Sequence, residues 1–334
     1  DELTYLLESG SDRVGALDFQ HAATEYLPRE AGSATLEQLL EAAERIEQGL
    51  LLRPELDQAL QHGTSLGGAR PKAKIDGDGT KHIAKFSSTS DLYPMVKAEF
   101  IAMRLAALAG LDVAAVELTR SMNRDVLLIE RFDRLRKETS WQRRIMISAL
   151  TMLQLDEMMA RYASYEDLAE IIRHRFTNPS STLRELFGRL VFNILCGNTD
   201  DHARNHAAFW DGQALSLTPA YDICPQNRTG NEASQAMLIS GEDRLSRLCS
   251  CLDAARHFLL SLREAMEIVE RQLQSIAANW STVCEEAGLN AADQAFLWRH
   301  QFLNPFAFEH LDRDAAHLKS LADGLRFSAI RDDL

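Results

Sequence analysis

Cysteine is scarce in this chain, long apolar runs are missing, and no internal repeat or low-complexity block stands out. The 334 residues hold five cysteines, Cys196, Cys224, Cys249, Cys251 and Cys284, and no C-x-x-C pair. An odd number without paired spacing argues against a disulfide framework and for a reducing, cytoplasmic setting. No apolar stretch reaches the roughly 18 residues that suggest a membrane span, and no signal-peptide pattern is evident, so neither a membrane nor a secreted protein is expected. Basic charge is also short. Lys and Arg number 36 against 49 Asp and Glu, a formal charge of −13, which does not suit an autonomous nucleic-acid binder. The chain begins at Asp1, so either a processed start or a preceding segment is expected.

What is present is ordinary globular material. Hydrophobic residues make up 46 % and charged residues 25 %, enough for a large core and better suited to two lobes than to one. Arg13 to Phe19 has strand-like content. Thr35-Leu36-Glu37-Gln38 matches a capping box and predicts an amphipathic helix ending near Gly49. Pro54 starts a further short helix, followed by the glycine-rich stretch Gly63 to Lys72. Ala73–Ile75 and His82–Phe86 read as strands, and Val96 to Gly110 as a helix stopped by glycine. Val113–Thr119 and Asp125–Glu130 read as strands joined through Asn123. After Arg134 the pattern turns helical, over Ser164–Phe176, Pro179–Leu195, about 252–278 and about 290–321. The expected fold is α+β and two-lobed, with a small β-rich lobe over 1–134 and a large all-α lobe over 135–334. A cleft between two such lobes is a usual ligand site.

The sharpest chemical signal is the polar insert after the apolar helix, Cys196-Gly197-Asn198-Thr199-Asp200-Asp201-His202-Ala203-Arg204-Asn205. Asp200 and Asn205 stand in D-x-x-x-x-N spacing, and Asp222 follows a short turn downstream. Phosphoryl transfer needs one carboxylate to accept the hydroxyl proton, and an amide oxygen with a second carboxylate to hold Mg²⁺ against phosphates. Protein kinases use this Asp-to-Asn spacing. The same residues also serve widely as caps and turns. Lys85 lies within the apolar strand His82–Phe86 and needs an anionic partner unless it snorkels at an edge. Glu99, early in the next helix, has the order of the kinase lysine–glutamate pair. Glu130, Arg131 and Phe132 leave the small lobe where a kinase hinge would meet adenine. Gly63-Thr64-Ser65-Leu66-Gly67 matches the G-x-S-x-G elbow of serine hydrolases, but no helix is expected after it, whereas Gly67, Gly68, Arg70 and Lys72 suit a phosphate-covering loop. His202 and His206, with Asp201, have the spacing of a metal pair on a helix. In a loop, His202 is better read as a brace for the catalytic segment.

Taken in order, these motifs resemble the HipA family, kinase toxins of type II toxin–antitoxin systems. The resemblance rests on Tyr5-Leu6-Leu7 with Arg13–Leu17, Ser65–Lys72, His82–Phe86, Glu99, Ile129–Arg134, Gly197–Asn205 and Leu217–Ile223. It implies that Ser65 is autophosphorylated in a loop covering ATP. It implies further that Gly67, Gly68, Ala69, Arg70 and Lys72 cradle phosphates, with Lys85 on phosphate oxygens and Glu130, Arg131 and Phe132 on adenine. Asp200 is then the base with His202 beside it, and Asn205 and Asp222 hold Mg²⁺. Tyr221 lines the site, and Arg204 stands where one branch of the family has Lys. The implied partners are a protein substrate such as an aminoacyl-tRNA synthetase and a HipB-like helix-turn-helix antitoxin, with DNA reached only through the antitoxin. Longer members carry an extra N-terminal subdomain before the Tyr-Leu-Leu region, and little room for it exists here. A preceding segment or a separate small protein is expected to supply it. Two rival readings are a kinase-fold nucleotide-binding module without transfer and a hydrolase acting through Ser65.

Overall fold

The computed structural model describes residues 2–8, 10–29, 35–47, 50–51, 72–76, 79–88, 91–138, 140–228 and 230–331. Residues 1–92 with 114–146 form one compact unit, and 93–113 with 147–334 a second.

In the first unit a short helix, α1 (Glu2–Glu8), precedes α2 (Leu36–Glu47). The capping box forms at α2. Gln38 N–H donates to Thr35 Oγ1 at 3.3 Å, and Thr35 N–H donates to the Gln38 side-chain oxygen at 2.9 Å. Four strands follow in the antiparallel order β1-β2-β4-β3: β1 (Lys72–Asp76), β2 (Lys81–Phe86), β3 (Val116–Ser121) and β4 (Arg124–Glu130). Met122 and Asn123 close the β3–β4 hairpin, both with positive φ, as a two-residue turn requires. Period-2 alternation turns Ala84 and Phe86 to one face of β2, where they pack with Ala73, Val126, Leu39 and Leu40 from the strands and α2. A second hairpin pairs β5 (Arg134–Lys137) with β6 (Ser140–Arg143).

The strand expected at Arg13–Phe19 does not form. Gly15 takes a left-handed φ of +75°, and the carbonyls of this stretch go to arginines instead of to a ladder. Arg134 and Arg143 donate to the Gly15 carbonyl at 3.0 and 3.1 Å, and Arg131 to that of Arg13 at 3.1 Å. Behind them lies an ionic cluster. Asp133 accepts from Arg131 Nη2 at 3.0 Å, Arg134 Nη1 at 2.7 Å and Gly15 N–H at 2.8 Å. Asp12 meets the same two guanidinium groups at 2.7 and 2.6 Å. Burial raises the Asp12 carboxyl pKa, but Arg131, Lys74 and Arg134 outweigh it and bring it down to about 2.

The second unit begins with α3 (Met95–Leu108), whose chain stops at Gly110 with φ +88°. After β7 (Ile145–Ser148) and the single turn α4 (Ala149–Met152) come α5 (Tyr165–Arg175) and α6 (Pro179–Cys196). Ser164 caps α5, accepting from Asp167 N–H at 2.9 Å. Leu183, Leu186, Phe187, Leu190, Phe192 and Leu195 of α6 are buried and make it the central helix of this unit. The helix expected over 252–278 begins earlier and is broken. α7 (Leu248–Ala254) and a 3₁₀ turn end at Leu259 in the left-handed region, and Ser261 then caps α8 (Leu262–Glu286) with Glu264 at N3. The helix expected over 290–321 is also two, α9 (Ala291–His300) and α10 (Ala316–Arg331), separated by a turn starting at Asn304-Pro305. The span 135–334, expected to be all-α, also holds most of β5, β6, β7 and the hairpin of β8 (Ala207–Trp210) with β9 (Leu215–Leu217). Its strands are too short to register as a periodic run, and Asp211 ties the β8–β9 turn by accepting from Gln213 and Ala214 N–H at 2.8 Å each. Among the described residues no helix is long and apolar enough to cross a membrane.

Candidate active site

The polar insert leaves α6 through Gly197, a left-handed cap with φ +75°. A Cβ at Gly197 would lie 2.8 Å from the Gln301 carbonyl oxygen and 3.1 Å from its Cα, so glycine is required both by φ and by space. Gly197→Ala is expected to cost about 2 kcal/mol or more, from the left-handed penalty plus a backbone clash, read as a lower urea midpoint.

From there residues 197–206 are held by backbone N–H groups of three other segments. The Gly197 carbonyl accepts from Gln226 at 3.0 Å, Thr199 from Ala236 at 3.1 Å, Ala203 from Leu150 at 3.2 Å and His206 from Ala149 at 2.8 Å. Inside the loop, Asp200 O accepts from His202 N–H at 2.9 Å and from the Asn205 side-chain nitrogen at 3.3 Å, and His202 O accepts from Asn205 N–H at 2.8 Å. The Asn205 amide nitrogen is thus committed to its own loop, and its oxygen is the end left for a cation. Asp200 is exposed and Asn205 buried.

The neighbouring acid is set apart. Asp201 is buried and accepts from His206 Nε2 at 3.0 Å and from the Tyr165 hydroxyl. Burial raises the Asp201 pKa, but His206, Tyr165 and His202 outweigh it and hold the carboxyl below its usual range. Burial, reinforced by Asp201, pushes the Tyr165 phenol well up, so it stays a donor. Of the two consecutive acids, only Asp200 is open to a substrate. The His206 side chain bonds the buried acid, while His202 braces the loop through its backbone N–H and carbonyl. His202 Nδ1 is buried without a hydrogen-bond partner.

The β8–β9 hairpin carries the chain from this loop to Asp222. Thr218 N–H donates to Ala207 O at 3.0 Å, and the Tyr221 hydroxyl donates to Arg204 O at 2.7 Å. The segment that bears Asp222 is therefore tied to the loop within the second unit. Asp222 has φ +60°, an uncommon conformation outside glycine that Asp tolerates better than most residues and that recurs at functional sites. Burial and then the Asp222 charge raise the Tyr221 phenol pKa. The exposed Arg204 side chain pairs with Glu157. Among the described residues no group of three or more His, Cys, Asp or Glu side chains is placed to hold a metal. One carboxylate and one amide oxygen suit a magnesium ion that takes its remaining ligands from phosphates and water.

In the first unit, Lys85 of β2 is buried and stands directly across from Lys72 of β1. Like charges in register oppose each other unless an anion is shared between them. Glu99, also buried, belongs to α3 of the second unit. Glu130 ends β4 exposed, its N–H donating to Ala115 O at 2.9 Å. The Arg131 guanidinium is spent on Asp12, Asp133 and the Arg13 carbonyl, so its side chain is structural, and Phe132 follows half-buried. Ser65, Gly67, Gly68, Ala69 and Arg70 lie outside the described residues, as does the helix expected at Pro54.

The profile of the family described as HipA-like C-terminal domain matches residues 64–280. The chain belongs to the HipA family. It is 32 % identical over 235 residues to Y4mE of Sinorhizobium fredii, a candidate kinase by its name, covering 64 % of this chain and 55 % of that protein. It is 26 % identical over 186 residues to the serine/threonine-protein kinase toxin HipA of Shewanella oneidensis, covering 48 % of this chain and 42 % of that one. The chain thus spans about half the length of the relatives it matches. Among solved structures, Shewanella oneidensis HipA, in complex with HipB and operator DNA, covers 98 % of this chain and 81 % of its own, with a TM-score of 0.65 at 20 % identity. The Helicobacter pylori kinase CtkA follows at a TM-score of 0.51 and 16 % identity, covering 80 % of this chain and 94 % of its own. The fold is the mixed α+β, kinase-like fold of these proteins.

For a HipA-family site, motif reading missed Tyr165 and Arg189. Arg189 is buried on α6 and donates to the Thr218 and Asp112 carbonyls at 2.9 and 3.1 Å, fixing the strand end that leads to Asp222. A charged residue within the apolar stripe of α6 was the available signal. Tyr165 gave none beyond its place at a helix start.

Proposed function

We propose that this chain is an ATP-dependent serine/threonine protein kinase of the HipA toxin class. The observation that carries this reading is the bond from the Tyr221 hydroxyl to the Arg204 carbonyl, which joins the D-x-x-x-x-N loop to the segment of Asp222. In this reading the Asp200 carboxylate accepts the proton of an attacking serine or threonine hydroxyl. That oxygen bonds to the γ-phosphorus of ATP as the bond to the bridging oxygen breaks, and ADP leaves. The Asn205 amide oxygen and the Asp222 carboxylate would hold Mg²⁺, which would supply neutralisation of phosphate charge. His202, two residues from the base, stands beside it, while Tyr221 and Arg204 shape the wall. Lys85 and Lys72 bind phosphate oxygens. Gly67, Gly68, Ala69 and Arg70 cover the phosphates, Glu130 and Phe132 meet adenine, and Ser65 is modified in a self-limiting step.

The substrate is a protein hydroxyl, an aminoacyl-tRNA synthetase being the class the family suggests. The partner is a HipB-like helix-turn-helix antitoxin, with or without a small protein supplying an N-terminal subdomain. Five free thiols suit a reducing cytoplasm. Radiolabelled ATP with magnesium tests the reading. The wild-type chain is expected to incorporate label and Asp200→Ala to lose it. Equal labelling of both would remove Asp200 as the base, and nucleotide binding without any transfer would favour a regulatory module.

A further inference from the structure

The loop from Asp200 to His206 contains two cross-loop contacts of the same span, one residue out of step. Asp200 O is bonded by the Asn205 side chain at 3.3 Å, and Asp201 Oδ2 by the His206 side chain at 3.0 Å, each pair five residues apart. The two contacts differ in setting. Asp200 is exposed, whereas Asp201 and His206 are 3 % and 2 % exposed. The inner pair is completed by Tyr165, fully buried, whose hydroxyl donates to the same Asp201 oxygen. Its ring stands edge-on to that of His206, centroids 5.5 Å apart at 75°.

Both supports of this inner contact are anchored outside the loop. Tyr165 is the first residue of α5, with Ser164 as its cap and its own N–H donating to Leu238 O at 2.9 Å. His206 begins the run into β8, and its carbonyl accepts from Ala149 N–H at 2.8 Å. We propose that Tyr165, Asp201 and His206 are positioning residues that fix Asp200 and Asn205, each of which shares a peptide plane with a member of the buried trio. This inference rests on the kinase reading above. The physical logic is that a buried carboxylate holding two donors has one low-energy placement. Asp200 and Asn205 inherit that placement through one peptide bond each. A displacement of about 1 Å at reacting groups costs roughly a hundredfold in rate.

The test compares wild type with Tyr165→Phe, which removes one oxygen and keeps the ring, and with His206→Leu and His206→Gln. Steady-state phosphoryl transfer and amide hydrogen exchange over 197–206 are measured together on the full chain. Tyr165→Phe and His206→Leu are expected to lower kcat about 10- to 100-fold, with KM for ATP within about twofold. Exchange across the loop should quicken in both. His206→Gln, able to donate to Asp201, should recover most of kcat. Unchanged exchange in Tyr165→Phe overturns the proposal, and so does quicker exchange with wild-type kcat. A wild-type chain that transfers no phosphate would instead defeat the kinase reading, and the exchange result alone would then decide whether the trio holds the loop.

Discussion

Asp222→Ala is expected to reduce phosphoryl transfer roughly a thousandfold or more, because it removes the only carboxylate assigned to magnesium. The effect should be distinguishable from that of Asp200→Ala. Asp200 is exposed and only its backbone carbonyl is engaged by Asn205, so truncating its side chain leaves the loop contacts in place. Asp200→Ala should therefore still bind ATP with magnesium while losing transfer. Asp222→Ala should lose the magnesium dependence of nucleotide binding as well. Isothermal titration with and without magnesium separates the two. Asp222 occupies a left-handed conformation that alanine tolerates less well, so Asp222→Asn is the better control for the fold. Magnesium-dependent binding that survives in Asp222→Ala would move the metal elsewhere.

Asp133→Ala is expected to destabilise the first unit by about 3–5 kcal/mol, the usual cost of removing one partner from a buried ion pair. The Arg131 and Arg134 side chains are only 1 % and 2 % exposed, and without Asp133 the carboxylate left to them among the described residues is Asp12, itself 38 % exposed. Gly15 N–H would also lose its acceptor. Burial raises the Asp133 pKa, but Arg131 and Arg134 hold the carboxyl below its usual range, so the pair is ionised at neutral pH. Asp133→Asn should cost less, because the amide oxygen can still accept. A urea midpoint near wild type for Asp133→Ala would mean that the cluster contributes little to folding.

Local rules made much of the fold legible. Thr35 and Gln38 announced α2, glycine marked the helix end at Gly110, and β2 and β4 were readable from β-rich runs. The failures came where tertiary bonding overrode local content. Arg13–Phe19 has strand residues but joins no ladder among the described residues, and the side chains of Arg131, Arg134 and Arg143 take its carbonyls. The break at Leu259 sits in an otherwise helical pattern, where only Ser261 followed by Glu264 signals a restart. At the site, spacing picked out Asp200, Asn205 and Asp222. It could not tell that Asp201 turns inward, since the two acids are adjacent and chemically alike. That difference depends on Tyr165, 36 residues upstream, which no local pattern connects to the loop.

Intact-mass spectrometry of the full chain after incubation with ATP and magnesium tests the kinase reading most directly. Wild type should gain the mass of at least one phosphate, and Asp200→Asn, purified identically, should gain none. Equal phosphate on both chains would contradict the assignment of Asp200, and a wild type that binds the nucleotide but gains no phosphate would contradict the transfer reaction itself.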